Sequence, residues 1–291
     1  MYLTEQKTNY KNYDKLMKKA IIFIISILSA IALLIYIGTL TQSPTAPSLD
    51  VSSLSTEPPT EPPTEPPTEP PIEELAAARL SEILSSGEPF PSASIEVPEM
   101  FQSPELPTGC EPVALTIAIN SYGYELSKTD IASDYLVRGD DYITSFAGDP
   151  FGWGGAGVFP PGLLKTAQAF IDKTSADLYA ADISDTALSD LYKLVDNGIP
   201  VVVWSTNYLA WPQLQGAREY KGRSYSWYHN EHCVCLYGYD IEQGTVDISD
   251  PQRGKVTVDA ARFEEIYDAV GRFALIVMDT SDLRQDSDSI D

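Results

Sequence analysis

The sequence predicts an α+β protein, with a helical first half, an antiparallel sheet after it, and one transmembrane helix ahead of the folded domain. Three observations lead to this prediction. An uncharged apolar stretch stands near the N-terminus, helix-type composition dominates residues 111–197, and four runs rich in β-branched and aromatic residues follow. The chain has 291 residues, enough for one large domain or two small ones.

The apolar stretch at residues 21–40 reads IIFIISILSAIALLIYIGTL and contains no charged residue. A helix of about twenty residues, rising about 1.5 Å per residue, spans the roughly 30 Å hydrocarbon core of a bilayer. A cleaved signal peptide is the alternative, but its apolar region is usually about 7–15 residues long and ends at a small-residue site. We therefore predict a transmembrane helix here.

The charges around this helix predict its orientation. Residues 1–20 carry five Lys against Glu5 and Asp14, a balance of +3, and no Lys or Arg follows the helix before Arg79. The positive-inside rule then places the N-terminus in the cytoplasm and everything after residue 40 outside, in a single-pass cell-membrane protein. The formal net charge of −23 leaves −26 for the residues after the first twenty, so nucleic-acid binding is not expected.

A low-complexity spacer follows the predicted membrane helix. Residues 56–71 repeat Thr-Glu-Pro-Pro four times, a composition that favours extended polyproline II. The next segment, IEELAAARLSEILSSG, has helical composition and a terminal Gly. We interpret it as a stalk or docking helix, and a pro-segment that covers the active site is the alternative. The predicted organisation is cytoplasmic N-terminus 1–20, transmembrane helix 21–40, spacer 41–74, stalk helix and connector 75–97, folded domain 98–279 and acidic tail 280–291.

The folded domain, about residues 98–279, is large enough for a single core. Helical composition predicts its first elements, and β-branched and aromatic residues predict its later ones. The predicted helices cover residues 111–122, 128–137, 162–173 and 185–197, and the predicted strands cover residues 199–205, 232–239, 245–250 and 273–279.

The segment ELPTGCEPVALTIAINSYG places a cysteine at the start of a nearly all-apolar helix. Pro112 fits only the first turn of a helix, so the helix should begin at about Cys110. The partial positive charge of a helix N-terminus favours thiolate over thiol and lowers the thiol pKa. The sequence therefore predicts Cys110 as a nucleophile on a rigid buried helix. A small buried structural cysteine is the alternative.

The segment EHCVCLYGYDIEQGTVDISDP predicts a β-hairpin that supplies a base and an acid. With a five-residue connection at 239–243, a symmetric register pairs Val234 with Ile248 on an apolar face and places His232 directly across from Asp250. Opposed side chains have Cβ atoms about 4.5–5.5 Å apart, close enough for a carboxylate to orient an imidazole. The pattern therefore predicts a nucleophile, base and acid relay. A salt-bridged strand pair is the structural alternative.

The blocks QSPELPTGCEPVAL and EH followed by apolar residues, GYD and a later DP resemble the Peptidase C39-like family of bacterial cysteine peptidases, over about residues 98–279. The resemblance implies a papain-like fold with Cys110 as nucleophile, His232 as base and Asp250 as orienting acid. It also implies that Gln102 helps the Cys110 backbone N–H to form an oxyanion hole. The substrate-cleft residues that we predict are Gly109, Trp153, Gly155, Trp227 and Glu231.

Two other sites suggested by residue type are disfavoured. Cys233 and Cys235 alternate away from His232 on a strand, so we expect small buried thiols and not a zinc site. The glycine-rich segment 148–164 lacks Gly-Lys-Ser/Thr and ends in Pro-Pro, so it does not predict a phosphate loop. It resembles the cleft-lining loop of the family, so we expect it to line the cleft. The long aromatic loop at 206–230 is typical of a lid over a binding cleft. Core-packing loops are the alternative for both segments. No metal and no cofactor are predicted.

These observations predict a membrane-anchored extracytoplasmic cysteine peptidase that acts on a peptide or protein substrate, for which cell-wall peptide is one candidate. Acyl transfer to an amine in place of water fits the same residues. The alternative from another class is a catalytically inactive papain-like module that binds a cell-wall or peptide ligand.

Overall fold

The computed structural model describes residues 70–284. The predicted cytoplasmic segment 1–20, the predicted transmembrane helix 21–40, most of the spacer and most of the acidic tail lie outside these residues. Between residues 70 and 284, no helix has the length and apolar character that crossing a bilayer requires.

The described residues form five α-helices and eleven strands, and six of the strands follow one another from Val201 to Asp259 without an α-helix between them. The helices are α1 (Ile72–Ser85), α2 (Cys110–Asn120), α3 (Pro160–Thr174), α4 (Leu188–Asp196) and α5 (Ala260–Val270), with a π-helical turn at Ile131–Tyr135 and 3-10 turns at Asn207–Leu209 and Asp282–Arg284. The strands are β1 (Ser92–Ser94), β2 (Arg138–Gly139), β3 (Phe146–Ala147), β4 (Leu178–Asp182), β5 (Val201–Thr206), β6 (Leu214–Tyr220), β7 (Arg223–Tyr228), β8 (Glu231–Asp240), β9 (Thr245–Asp250), β10 (Gly254–Asp259) and β11 (Ala274–Asp279).

A seven-stranded antiparallel sheet organises the domain, which confirms the predicted α+β class. Its strand order is β10-β9-β8-β5-β11-β4, and β1 pairs with β8. The segregation of helices from strands is less complete than the sequence predicted, because β4 lies in the helical half and α5 connects β10 to β11. The predicted loop 206–230 contains the β6–β7 hairpin, whose strand β6 is almost wholly exposed and so lacks the alternating pattern of a half-buried strand.

Helix α2 lies at the centre of the core. Every residue from Cys110 to Ile119 is buried, and the helix packs on β8. A helix that is apolar nearly all round has no face to offer to water, so it is stable only when other elements cover it on all sides. This burial holds the N-terminus of α2 rigidly against the first residues of β8.

The N-terminal part of the described chain belongs to the domain. Helix α1 buries Ala76, Leu80 and Ile83, and Lys193 of α4 donates to the carbonyls of Leu84 and Ser86 at the C-terminal end of α1. Strand β1 then pairs with β8 at Gly238–Asp240. Strand β9 pairs with the other side of Gly238–Asp240. Strand β1 therefore lies on the same side of β8 as β5, which pairs with residues 231–236.

The β8–β9 register differs from the predicted one. Cys235 faces Ser249 and Leu236 faces Ile248, and an irregularity between Leu236 and Gly238 shifts the remaining pairs by one residue. The prediction that His232 lies directly across from Asp250 is therefore wrong, as is the predicted pair of Val234 with Ile248. A β-bulge adds one residue to one strand, and a simple apolar alternation gives no sign of it.

Candidate active site

Cys110 is the first residue of α2, as predicted, and Gly109 precedes it as the N-cap residue. Pro112 lies in the first turn, where its missing N–H leaves no intrahelical hydrogen bond unmade. The Cys110 thiol is 8 % exposed and donates to Oε2 of Glu111 over 3.2 Å. The nucleophile that the sequence predicted therefore stands at the expected helix N-terminus, with a carboxylate as its hydrogen-bond partner.

The expected lowering of the Cys110 pKa is contradicted. Burial raises the pKa of this thiol well above its usual value, and the nearby charges of Glu111 and Glu231 raise it further. A helix N-terminus favours an anion, but here loss of water and two neighbouring carboxyl groups outweigh it. This arrangement favours the neutral thiol of Cys110 over the thiolate.

His232 lies near the start of β8, across from Ser205 of β5, and is 1 % exposed. Its Nε2 lies 2.7 Å from Oδ1 of Asp250, and its Nδ1 has no hydrogen-bond partner. The predicted contact of His232 with Asp250 thus forms, although diagonally and not between directly opposed residues. The unpartnered nitrogen remains available to take a proton.

Asp250 is held ionised by its surroundings. Burial raises its pKa, but the hydrogen bond from His232, the Gln252 backbone N–H and the Arg253 guanidinium lower it more, so the net shift is downward. Gln252 N donates to Oδ1 over 2.8 Å, and Arg253 Nε donates to Oδ2 over 2.6 Å. A carboxylate fixed in this way accepts the His232 Nε2–H and leaves Nδ1 as the basic nitrogen.

Gln102 is buried beside the same cavity, at 3 % exposure. Its Nε2 donates to the carbonyl of Pro107 over 3.0 Å, which uses one of the two amide hydrogens. Its backbone N–H donates to the carbonyl of Pro251, the residue after Asp250. The second amide hydrogen and the Cys110 N–H, which has no intrahelical acceptor at the first helical position, are donors of the kind that an oxyanion hole uses.

A cavity of about 660 Å³ connects these residues. Of the predicted cleft residues, the structure places Trp153, Gly155, Trp227 and Glu231 in its lining, together with Cys110, His232 and Gln102. Gly109 is not in that lining, and a Cβ added there would stand 3.0 Å from the Leu106 Cβ. Asp250 lies behind the imidazole, 1 % exposed.

The glycine-rich segment forms one wall of the cavity. Thr108 Oγ1 donates to the carbonyl of Gly152, and a Cβ added at Gly155 would stand 2.0 Å from that same Oγ1. Gly157 has a φ of +87°, and a Cβ there would stand 2.3 Å from Oε1 of Glu111. The segment therefore needs glycine at these positions to pack against the start of α2.

The site also contains Glu111, which the sequence analysis did not select. It is fully buried and accepts from the Val158 backbone N–H over 2.7 Å. The Glu111 carboxyl group and the Cys110 thiol, both on α2, lie close to the carboxyl group of Glu231. Ligand oxygens of Glu111 and Glu231 and the Cys110 sulfur lie within 4.8 Å of one another, close enough to share a metal ion. The sequence signal that could have identified Glu111 as a site residue was a lone acidic residue within an otherwise apolar helix.

Burial raises the pKa of both carboxyl groups of this Glu111–Glu231 pair, and the Glu111 charge raises that of Glu231 further. Two carboxylates that share a buried space do not both ionise readily, because each anion disfavours the other. The pair therefore retains a proton to a higher pH than ordinary glutamates do.

Cys233 and Cys235 are free, fully buried thiols, as predicted. Burial raises the pKa of both groups. Neither thiol lines the cavity, whereas Cys110 does, so Cys110 is the cysteine with access to it.

Comparisons with known proteins agree with this architecture. The YvpB protein of Bacillus subtilis strain 168, which is uncharacterized, is 26 % identical over 207 residues, which are 69 % of this chain and 80 % of the relative. The crystal structure of a Bacillus anthracis protein assigned to the C39-like peptidases is similar with a TM-score of 0.55 and 28 % identity, covering 64 % of this chain and 97 % of the other. The model of the Peptidase_C39 like family matches residues 94–275, and the chain belongs to that family.

Proposed function

We propose that this protein is a cysteine peptidase that cleaves peptide bonds through Cys110, His232 and Asp250, on a papain-like fold. The observation that carries the proposal is the 2.7 Å contact of His232 Nε2 with Asp250, which leaves Nδ1 unpartnered beside the cavity that Cys110 also lines. A buried imidazole with one nitrogen fixed by a carboxylate and the other free is suited to accept a proton from a neighbouring thiol.

Catalysis then requires the Cys110 thiol to turn from Glu111 towards His232. The thiol proton passes to Nδ1, and the resulting thiolate attacks the carbonyl carbon of the scissile bond. The oxyanion is stabilised by the Gln102 amide and the Cys110 N–H. The imidazolium gives its proton to the leaving amine, and water or a second amine then releases the acyl group from the sulfur.

We further propose that residues 21–40 anchor the chain in the cell membrane and that the spacer holds the peptidase domain outside. The uncharged length of that segment and the lysines that precede it support this arrangement. A peptide or protein at the cell surface, with cell-wall peptide as one candidate, is the substrate class that this placement favours.

A second candidate function is a peptide-binding module without catalysis. The hydrogen bond of the Cys110 thiol with Glu111 and the raised thiol pKa favour it, because both oppose thiolate formation. The two functions differ in whether His232 activates Cys110.

Selective alkylation separates them. We expect iodoacetamide to label Cys110 of the full chain at least about tenfold faster than Cys233 and Cys235, and His232→Ala to abolish that selectivity, as measured by mass spectrometry of labelled peptides. His229→Ala is the matched control, since His229 lines the same cavity but is exposed, whereas the described contact of Asp250 is with His232. Equal labelling of the three cysteines, or selectivity that survives His232→Ala, would favour the binding module.

A further inference from the structure

Unpartnered polar atoms are concentrated around the candidate active site. Among the described residues, four buried side-chain atoms lack a hydrogen-bond partner, namely Gln102 Oε1, Ser205 Oγ, Glu231 Oε1 and His232 Nδ1. Three of them belong to residues that line the cavity, and the fourth is Ser205, which faces His232 on the neighbouring strand. Each of the four atoms can accept a hydrogen bond, and a buried acceptor left unpaired destabilises the folded state. These atoms are therefore open to donors that a ligand supplies.

The charged residues of the cavity also favour a ligand that carries hydrogen-bond donors. Its described lining contains the carboxyl groups of Glu111 and Glu231 and no Lys or Arg. The nearby Arg253 is already paired with Asp250. A ligand that brings both positive charge and several N–H donors would satisfy the unpartnered acceptors and balance the carboxyl groups.

Aromatic rings extend this acidic region into a pocket. A Cβ added at Gly157 would stand 3.2 Å from Cη2 of Trp227 as well as close to Glu111, so the indole and the carboxyl group border the same backbone. Trp153 is 87 % exposed on the wall of the cavity. Carboxyl groups beside aromatic faces form a recurrent environment for organic cations.

We infer that the cavity floor beside Cys110, formed by Glu231, Glu111 and Trp227, is a subsite for an ammonium or guanidinium group that the substrate carries next to the scissile bond. This inference rests on the proposed function and names its substrate class: peptides with a lysine, an arginine or another amine-bearing residue at that position. A metal ion would also suit the thiol and the carboxyl groups, but it would leave the aromatic walls and the Gln102 acceptor without a role.

Occupation of this subsite is linked to protons. Glu231 faces Glu111 and Cys110 of α2 and Cys233 of its own strand, and His229 and His232 line the same cavity. Burial raises the pKa values of the two carboxyl groups, so the pair ionises at higher pH than ordinary glutamates do. An incoming cation favours the ionised pair, and the proton is released as the cation binds.

The test measures binding to a full chain that carries Cys110→Ala, so that catalysis does not intervene. The probes are N-acetylated, C-amidated peptides Ala-Ala-X-Ala-Ala, with X as lysine, Nε-acetyl-lysine, norleucine or glutamate. Titration calorimetry is carried out with EDTA present, in two buffers with different ionisation enthalpies. We expect the lysine peptide to bind at least about tenfold tighter than the acetyl-lysine and norleucine peptides, with proton release for the lysine peptide alone.

The double variant Cys110→Ala, Glu231→Gln should bring the lysine and norleucine peptides within about twofold of each other. Glu264→Gln, on the exposed surface of α5, is the matched control and should preserve the lysine preference. Equal binding of the lysine and acetyl-lysine peptides would overturn the cation subsite and leave the peptide-binding cleft intact. Absence of binding by every peptide would overturn both the subsite and the proposed function.

Discussion

Cys110 and Glu111 are sequence neighbours joined by a side-chain hydrogen bond, with the thiol 3.2 Å from Oε2 of the carboxyl group. The other carboxyl oxygen accepts from the Val158 backbone N–H, and the Val158 carbonyl accepts from the Trp204 indole over 3.0 Å. Glu111 therefore connects the candidate nucleophile to the glycine-rich wall and, through it, to the central sheet. It also holds the thiol in its neutral form.

Glu111→Gln should make Cys110 more reactive. Glutamine retains an acceptor for the Val158 N–H, removes a negative charge and presents N–H donors to the sulfur, so the thiol pKa should fall. We expect iodoacetamide labelling of Cys110 at pH 7 to rise about tenfold, which corresponds to one pKa unit, and the pH–rate profile to move to lower pH. Glu264→Gln serves as the control, and an unchanged labelling rate would contradict a role for Glu111 in holding the thiol neutral.

Gln102→Ala should separate turnover from thiol reactivity. If the Gln102 amide stabilises an oxyanion, its loss should lower kcat/KM for peptide hydrolysis by about 10²–10³. Alkylation forms no oxyanion, so the rate of Cys110 labelling should stay within about twofold of the unmodified chain. Gln168→Ala, on the exposed face of α3, is the matched control. A parallel loss of labelling and turnover would indicate a structural effect instead.

Asp250→Ala should make His232 a less effective base for Cys110. The change leaves the buried His232 Nε2 and the Arg253 guanidinium without their acceptor and no longer fixes which imidazole nitrogen is basic. We expect the rate of Cys110 alkylation and peptide turnover to fall by about 10²–10⁴. Asp247→Ala, three residues before Asp250 on β9, should leave both rates unchanged. Unaltered alkylation in Asp250→Ala, with the fold retained by circular dichroism, would remove Asp250 from the relay.

Glu231→Gln should change how stability depends on pH. A carboxyl group whose pKa is raised by folding stabilises the native state fully below its unfolded pKa of about 4.3, and this contribution is lost as pH rises through the raised native pKa. The amide does not titrate. We therefore expect the variant to have a higher Tm than the unmodified chain at pH 8 and a flatter decline of Tm above pH 5, measured by thermal denaturation.

Asp250 provides the contrast to Glu231, because its native pKa is lowered. Its contribution to stability is present above the unfolded pKa of about 3.9 and is lost as pH falls through the lowered native pKa. That loss occurs below the range from pH 5 to pH 8 in which the Glu231→Gln variant is compared. A Tm difference between Glu231→Gln and the unmodified chain that is constant from pH 5 to pH 8 would contradict the raised pKa of Glu231.

The position of the nucleophile followed from local rules. Pro112 and the apolar run after Cys110 place the helix start at about Cys110, and the structure begins α2 there. The behaviour of the thiol did not follow from the same rules. Its pKa depends on Glu231, which is 121 positions away in sequence (231 − 110), and on burial that only the packed domain creates.

The contact of His232 with Asp250 was predicted from a register that is wrong. Apolar alternation correctly identified two paired strands, but the connecting turn and the irregularity before Gly238 set the actual pairs. The contact survives because an imidazole and a carboxylate can meet diagonally across a strand pair. Strand alternation therefore predicts which residues lie near one another more reliably than it predicts which residues are directly paired.

Strand β1 has a practical consequence for anyone who isolates the catalytic half of the molecule. A fragment that begins at residue 98 would lack Ser92–Ser94 and would leave the backbone groups of Gly238–Asp240 open on one side. An unprotected sheet border of this kind invites a second copy to add its own strand. A fragment that begins at Ile72 retains the three-residue cover and α1, and it should remain monodisperse where the shorter one self-associates.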